Sequence, residues 1–218
     1  MSATPPQDLG QSKVVRGRGR PRLTTQADVI EAVLAEGLAS FTVTAVAERL
    51  GTTHATLYGY FESREDLAVA AVDMVVTRTE WPSSSDSWRA VLGDYARTLW
   101  KLCQETHGFA SCVLGLTLTP SAISDVIQGY AALLETHGFT RTDALVLIDL
   151  IGEEVLLTSM LLSREDDRTV EIPPLPSEDA DASRPGKELS WASEAGWLAR
   201  KLAFIFDGAD YRLQRASV

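Results

Sequence analysis

The sequence has few cysteines and no long apolar run. Cys103 and Cys112 are the only two among 218 residues, too few for a disulfide framework, so we expect a reduced, cytoplasmic protein. No apolar stretch approaches the roughly 20 residues needed to cross a bilayer. The N-terminus also lacks the apolar region of a signal peptide. We therefore expect neither a membrane protein nor a disulfide-stabilised secreted one.

Catalytic and metal-binding motifs are absent as well. The chain contains no HExxH, no GxSxG, no phosphate-binding glycine loop and no cluster with metal-ligand spacing. We therefore expect neither an enzyme nor a cofactor. No segment of useful length alternates with the period of a strand, and helical apolar spacing recurs throughout, which predicts an all-α fold.

Positive charge is scarce overall but concentrated at one end. The formal net charge is −10. The segment VVRGRGRPR nevertheless contains Arg16, Arg18, Arg20 and Arg22, and Lys13 precedes it with no acid in between. DNA repels an acidic protein, so any contact with DNA must be confined to this end of the chain.

This basic segment is not expected to be helical. Gly17, Gly19 and Pro21 alternate with its arginines and disfavour a helix, so residues 1–23 are predicted to form a flexible, extended arm. Arginines on an extended chain suit a narrow minor groove. The core from 18 to 21 also resembles an AT-hook. The alternative is a basic tail with no specific role.

Residues 24–80 alternate capping residues with helical apolar patterns. Thr25 and Asp28, three apart, favour the start of a first helix, which Gly37 ends. A second helix ends at Gly51, which suits a left-handed turn. The expected starts of the second, third and fourth helices are Thr42, Thr53 and Ser63. The expected inner face of the fourth helix is Leu67, Ala70, Ala71, Met74 and Val75.

The third helix, within LGTTHATLYGYF, is unusually polar. Only Leu57 and Phe61, four residues apart, have the spacing of core anchors. A helix, a tight turn at Gly51 and a short polar helix form the helix-turn-helix arrangement. The sequence therefore predicts an N-terminal three-helix DNA-binding domain.

The stretch from about 27 to 67 is similar to the DNA-binding domain of the TetR/AcrR family of bacterial transcriptional regulators. It departs from the family pattern at Tyr60, where a histidine is usual, and at Arg64, where a lysine is usual. The residues that carry the resemblance are Gly37-Leu38, Thr42-Val43, Val46-Ala47, Leu50-Gly51-Thr52-Thr53, Thr56-Leu57-Tyr58, Tyr60-Phe61 and Ser63-Arg64-Glu65.

The resemblance implies that the short helix enters the major groove, where base edges present a distinguishable code. Thr53 and His54, at its N-terminal end, are the candidates for base contact. The threonines that begin helices also serve as caps, and it stays open whether the Thr53 flank or the His54 flank faces the bases. The candidates for phosphate contact are Thr56, Tyr58 and Tyr60, with Thr42, Thr44 and Arg64 at neighbouring helix N-termini.

Residues 81–218 are predicted to form a second helical domain for ligand binding and dimerisation. The Pro/Ser segment WPSSSDS, which starts at residue 81, marks the boundary. Helices are expected over 87–106, 121–136, 142–162 and 188–206, with Ser121 as a cap. Residues 164–187 are acidic and proline-rich, which predicts a mobile loop.

The helix over 142–162 is apolar almost all round, which indicates burial on both sides. A two-fold homodimer formed by this helix and the last one would make a four-helix bundle. The adjacent Glu153 and Glu154 are the exception in this helix: one is expected to be solvated and the other buried, with a ligand cation as one possible partner. The candidate ligand-binding residues are Trp100, Cys103, Phe109, Leu116, Tyr130, Leu134 and Glu154, for which ordinary core packing is the alternative.

Together these features predict a dimeric, ligand-responsive regulator, a repressor that a small molecule releases from a palindromic DNA operator. One alternative is an architectural DNA-binding protein that uses the basic arm and senses nothing. The other is a ligand-binding scaffold whose DNA-binding domain has degenerated, against which the polar helix argues.

Overall fold

The computed structural model of the protein describes residues 24–82, 87–162 and 194–216. The basic arm and the expected loop over 164–187 lie outside these ranges. Within them the chain is helical, without a strand, as the sequence predicts. The helices are α1 (Gln26–Glu36), α2 (Val43–Leu50), α3 (His54–Leu57), α4 (Arg64–Arg78), α5 (Trp88–Glu105), α6 (Phe109–Gly115), α7 (Ser121–Thr136), α8 (Arg141–Leu162) and α9 (Glu194–Ala216).

The expected helix starts in the N-terminal domain are confirmed. The Thr25 hydroxyl accepts from the backbone N–H of Asp28, whose carboxylate accepts in return from the Thr25 N–H at 2.9 Å. This reciprocal pair satisfies two amides that the first helical turn leaves unpaired. The hydroxyls of Thr42, Thr53 and Ser63 accept in the same way at the starts of α2, α3 and α4.

The turn between α2 and α3 depends on Gly51. Its φ of 61° and ψ of 34° place it in the left-handed region, which glycine enters without steric cost. Its N–H donates to the carbonyl of Glu48, and that of Thr52 donates to the carbonyl of Ala47. These bonds close the end of α2 and set the direction in which α3 leaves it.

The inner face of α4 differs from the expected one. Leu67 and Ala71 are buried as predicted, whereas Ala70, Met74 and Val75 are only partly buried. The helix contacts α1 on one side and both α6 and α7 on the other, so it is covered from more than one direction. The buried stripe therefore includes a second row, formed by Ala68, Val72 and Val76.

The larger domain is built around α8. This helix contacts α5, α6, α7 and α9, and Ile148, Ile151 and Val155 on it are fully buried. The prediction of helices over 87–106 and 142–162 is confirmed to within a residue by α5 and α8. No described helix combines the length and hydropathy needed to cross a membrane.

Two expectations in the larger domain are wrong. Ser121 is the first residue of α7 rather than its cap, and the carboxylate of Asp73 on α4 accepts instead from the backbone N–H of Ala122 at 2.8 Å. The last helix was expected to end at Phe206, before Gly208, but α9 continues to Ala216. Ala209, beyond that glycine, is buried, so core packing extends the helix.

Candidate nucleic-acid interface and ligand cavity

The α3 helix is a single turn that buried side chains anchor to the core of its domain. Leu57 and Phe61, the two expected anchors, are buried in the core of the N-terminal domain. The Thr53 hydroxyl accepts from the Thr56 N–H at 3.3 Å and lies 3.1 Å from the Thr56 hydroxyl. The helix is shorter than the polar stretch predicts, because residues 58–60 form a turn. Two buried side chains thus fix a very short polar helix at the surface.

The polar side chains around α3 face solvent. Thr53 and His54 are exposed, and Thr56 is half-buried. Tyr58 and Tyr60 are 52% and 41% exposed, so both rings are accessible to a partner. The two remaining threonine candidates, at the start of α2, are exposed as well. Seven of the eight predicted contact residues of this domain are therefore at least partly accessible, on α2, on α3 and in the turn after it: Thr42, Thr44, Thr53, His54, Thr56, Tyr58 and Tyr60.

Tyr60 ties this region to the beginning of the described chain. Its hydroxyl donates to the carbonyl of Thr24 at 2.5 Å. The chain therefore enters α1 directly beside the turn that follows α3. The four arginine candidates of the basic arm (Arg16, Arg18, Arg20 and Arg22) precede this point and lie outside the described residues.

Arg64, the eighth candidate, is engaged within the protein. Its guanidinium donates to the carbonyl of Phe41 from Nε at 3.3 Å and from Nη2 at 3.2 Å. The guanidinium also lies over the Phe41 ring, 4.2 Å from the centroid, which is a cation–π contact. Arg64 therefore holds the segment between α1 and α2 against α4, and a phosphate contact from it stays a prediction.

Two carboxylates on α4 hold the segment that joins α6 to α7. Glu65 accepts from the backbone N–H of Thr117 at 2.7 Å and from its hydroxyl at 2.6 Å. These hydrogen bonds lower the pKa of Glu65, since they stabilise its charged form. Further along α4, Asp73 binds the first turn of α7, as described above. The junction therefore couples the position of α4 to that of the α6–α7 segment.

A second junction joins the two domains through backbone atoms. The N–H of Leu38 donates to the carbonyl of His107 at 3.2 Å. Gly108 follows with a φ of 79°, and a Cβ at this position would lie 2.5 Å from the backbone nitrogen of Ala39. Only glycine permits this approach, because any side chain would collide with the loop after α1.

The larger domain encloses a cavity of about 220 Å³ between the end of α4 and helices α5 to α8. Most of its lining is apolar, and Phe109, Ile127 and Ile148 are typical members. Val76 and Trp81, at the C-terminal end of α4 and just beyond it, also line the cavity. A molecule in the cavity would therefore touch the segment that leads to the DNA-binding domain.

Comparison with known proteins identifies the N-terminal part of the chain. Residues 28–71 match the family described as bacterial regulatory proteins, tetR family. The N-terminal domain is a tetR-family domain. The match covers α1, α2, α3 and the first half of α4, the same elements that place Thr53 and His54 at the surface. No curated protein matches the chain.

Solved structures show that the whole described architecture resembles that of tetR-family proteins. A TetR variant from Acinetobacter baumannii AYE, in complex with minocycline, is 17% identical over 85% of this chain and 94% of that chain, with a TM-score of 0.63. Apo ActR from Streptomyces coelicolor is 22% identical over 65% and 70%, with a TM-score of 0.59. BioQ with its double-stranded DNA operator is 19% identical over 65% and 87%, with a TM-score of 0.57. At these identities the likeness is one of fold.

The tetR-like larger domain places most of the predicted ligand residues away from its cavity. Phe109 lines it, and Tyr130 lies behind the lining with its ring centroid 5.1 Å from that of Tyr95. Glu154 is instead paired with Lys201 on α9 at 2.6 Å. The other residues that do not line the cavity are Trp100, Cys103, Leu116 and Leu134.

The candidates on α5 and α8 that do not line the cavity share one physical cause. A helical position one residue away points about 100° further round the helix, so correct elements can still yield the wrong side chain. Leu99 lines the cavity where Trp100 was expected, and Glu153 lines it where Glu154 was expected. Cys103 is buried, and burial raises the pKa of its thiol to about 12, which makes it an inert core residue.

Three further residues line the cavity without being among the candidates predicted from the sequence: Trp81, Tyr95 and Asp149. Trp81 was assigned to a linker, yet its indole N–H donates to the carbonyl of Val76 at 3.0 Å and its ring packs beside that of Tyr95. A tryptophan directly after a helix was the available signal. The spacing of Asp149 was a second signal, because this residue lies four residues before Glu153 on the same face of α8.

Proposed function

We propose that the protein is a transcriptional repressor that binds a palindromic operator as a homodimer and is released by a small molecule in the cavity of the larger domain. The observation that carries this proposal is the polar α3 turn, presented at the surface of a tetR-family domain beyond the Gly51 turn. The proposal includes a cytoplasmic location and no catalytic activity.

Base reading is assigned to the N-terminal end of α3. Thr53 and His54 are exposed there, and recognition helices insert this end into the major groove. The exposed threonines of α2 and the two tyrosines after α3 are suited to fixing the domain on phosphates. BioQ, a structural relative, has been solved on its operator, which supports DNA as the partner.

The dimer interface is assigned to α8 and α9. Both helices carry large apolar side chains that the single chain leaves exposed, and a patch of this kind marks an interaction surface. Two copies joined here by a two-fold axis would form a four-helix bundle. The exposed side chains are Val146, Leu150, Leu157 and Leu161 on α8, with Trp197, Phe204 and Tyr211 on α9.

Signalling is assigned to α4. The cavity touches this helix at Val76 and, just beyond it, at Trp81, and the carboxylates of Glu65 and Asp73 tie the same helix to the α6–α7 segment. A ligand that binds more tightly to one position of α4 will favour that position and change the spacing of the two DNA-binding domains. Structural relatives have been solved with minocycline and with actinorhodin, which supports a small-molecule effector.

The architectural alternative predicts DNA binding without release by a ligand. It relies on the arm alone and gives no role to the cavity or to the carboxylate contacts between α4 and the larger domain. Sequence-independent binding that no small molecule affects would favour this alternative over the repressor.

The proposal predicts that α3 sets sequence preference. An operator is first selected from randomised duplexes. His54→Ala and Thr53→Ala should then weaken binding to it by about 1–3 kcal/mol and relax the preference at one base pair in each half-site. His54→Ala leaves the capping hydroxyl of Thr53 in place, so a loss of sequence preference in that variant reports base reading and not helix capping. Footprinting with unchanged protection and affinity for both alanine variants would show that α3 does not read the operator.

A further inference from the structure

The cavity of the larger domain carries negative charge on one side only. Asp149 and Glu153, four residues apart on α8, both line it and are both exposed, so they stand at its opening. Neither carboxylate makes a hydrogen bond or an ion pair with any described residue. No lysine, arginine or histidine is among the described residues that line the cavity. The opening therefore offers two carboxylates, and no described residue of the lining supplies a cation.

The hydroxyl of a buried tyrosine that lines the same cavity is also without a partner among the described residues. Tyr95 is 5% exposed and lines the cavity, and its hydroxyl makes no hydrogen bond within the described residues. A Cβ at Gly152 would lie 2.8 Å from the phenol oxygen, so this glycine makes room for it. Burial raises the pKa of Tyr95, and the nearby charge of Asp149 raises it further, so the phenol stays protonated. The Tyr95 hydroxyl is therefore open to a hydrogen bond with a molecule in the cavity.

Aromatic rings form the wall next to this hydroxyl. The ring centroids of Trp81 and Tyr95 are 6.1 Å apart, and Tyr130 packs against both rings from behind. The faces of such rings attract cations, and more strongly when water is excluded. The rest of the lining, including Ile123, Ile127 and Leu156, is apolar and suits a hydrocarbon body.

From this arrangement we propose that the cavity binds an apolar organic cation, whose hydrocarbon part fills the space among α5, α7 and α8 and whose ammonium group faces Asp149 and Glu153. The inference rests on the proposed function in that the cavity is the effector site. It goes further by fixing the charge of the effector. A neutral molecule of the same shape would leave both carboxylates unpaired, and an anion would be repelled by them.

The test uses two probes of the same shape that differ in charge, phenyltrimethylammonium and tert-butylbenzene. Calorimetric titration of the full chain, without DNA, should show that the cation binds at least tenfold more tightly than its neutral isostere. Replacing both carboxylates, Asp149→Asn with Glu153→Gln, should remove most of this difference. That variant should change the affinity for tert-butylbenzene less than twofold.

A matched variant controls for overall charge. Glu105→Gln with Glu135→Gln also removes two carboxylates, but Glu105 lies near Lys101 and Glu135 near Arg141, away from the cavity lining. It should keep the preference for the cation. Equal affinity for the two probes, tighter binding of tert-butylbenzene, or no binding of the cation would each overturn the proposal. Operator binding is measured separately on the same preparation, so a failure of DNA recognition is distinguished from a wrong assignment of ligand charge.

Discussion

Deletion of residues 1–22 is expected to weaken binding to every DNA sequence and to flatten its dependence on salt. The deleted segment contains Lys13 and the four arginines of the basic arm, and Tyr60 holds the adjoining Thr24 beside α3. Each phosphate that a cation neutralises contributes about 0.9 to the slope of log K against log salt, so the slope should fall by up to about 4.5 per subunit. Fluorescence anisotropy over a series of salt concentrations measures this slope.

A shorter deletion is the matched control. Residues 1–12 contain no lysine or arginine, so removing them alone should leave the slope unchanged. Specificity should survive both deletions, because base reading is assigned to α3. A protein lacking residues 1–22 whose slope equals that of the full chain would show that the arm does not contact DNA.

Phe204→Asp is expected to convert the protein to a monomer and to reduce operator affinity by a factor of about 10² to 10⁴. Phe204 is 81% exposed on α9, and a carboxylate buried there in a dimer would have no partner and a large desolvation cost. A monomer reads one half-site and loses the effective concentration that dimerisation gives the second. Analytical ultracentrifugation measures the mass, and anisotropy with a full operator measures the affinity.

Ala132→Asp provides the comparison for this variant. Ala132 is exposed on α7, away from the proposed interface. It should leave both mass and operator affinity unchanged. If the Phe204 variant sediments as a dimer at the same concentration as the unaltered chain, then α8 and α9 do not form the interface.

The N-terminal domain could be read from the sequence because its signals are local. A capping hydroxyl, such as that of Thr25 or Thr42, accepts from a backbone N–H three residues away. Gly51 adopts the left-handed conformation, and the glycine itself is the signal for it. The buried anchors of α3 are likewise four residues apart. Such features depend on residues close by in the chain, so they can be predicted without knowledge of the tertiary structure.

The cavity could not be read in this way because several distant helices define it. Leu99 and Trp100 are both buried, but which of them lines the cavity depends on the rotation of α5 against α8, which periodicity fixes only to within about one position. The start of α7 is a similar case. Its cap is Asp73, 48 residues before Ser121 in the chain, and no local pattern signals that contact. The end of α9 is also set by packing, which carries the helix past Gly208.

The burial of α8 was predicted only in part. Its all-round apolar character predicted burial on both sides, and the structure buries one side while leaving Val146, Leu150 and Leu157 exposed. Hydrophobicity could identify the surplus apolar surface, but it could not distinguish a core contact from a contact with a second copy. The dimer therefore stays a prediction that Phe204→Asp tests.

The central claim is that the cavity and the DNA-binding surface are coupled through α4, and one titration tests it most directly. A ligand found by thermal-shift screening is titrated calorimetrically into the full chain with and without its selected operator. A factor of about 100 between the two affinities corresponds to a coupling free energy of roughly 2.7 kcal/mol, and reciprocity requires the same factor for both partners. We expect operator DNA to weaken ligand binding by about this factor. Equal ligand affinity in the two titrations would contradict release by the ligand, however tightly each partner binds alone.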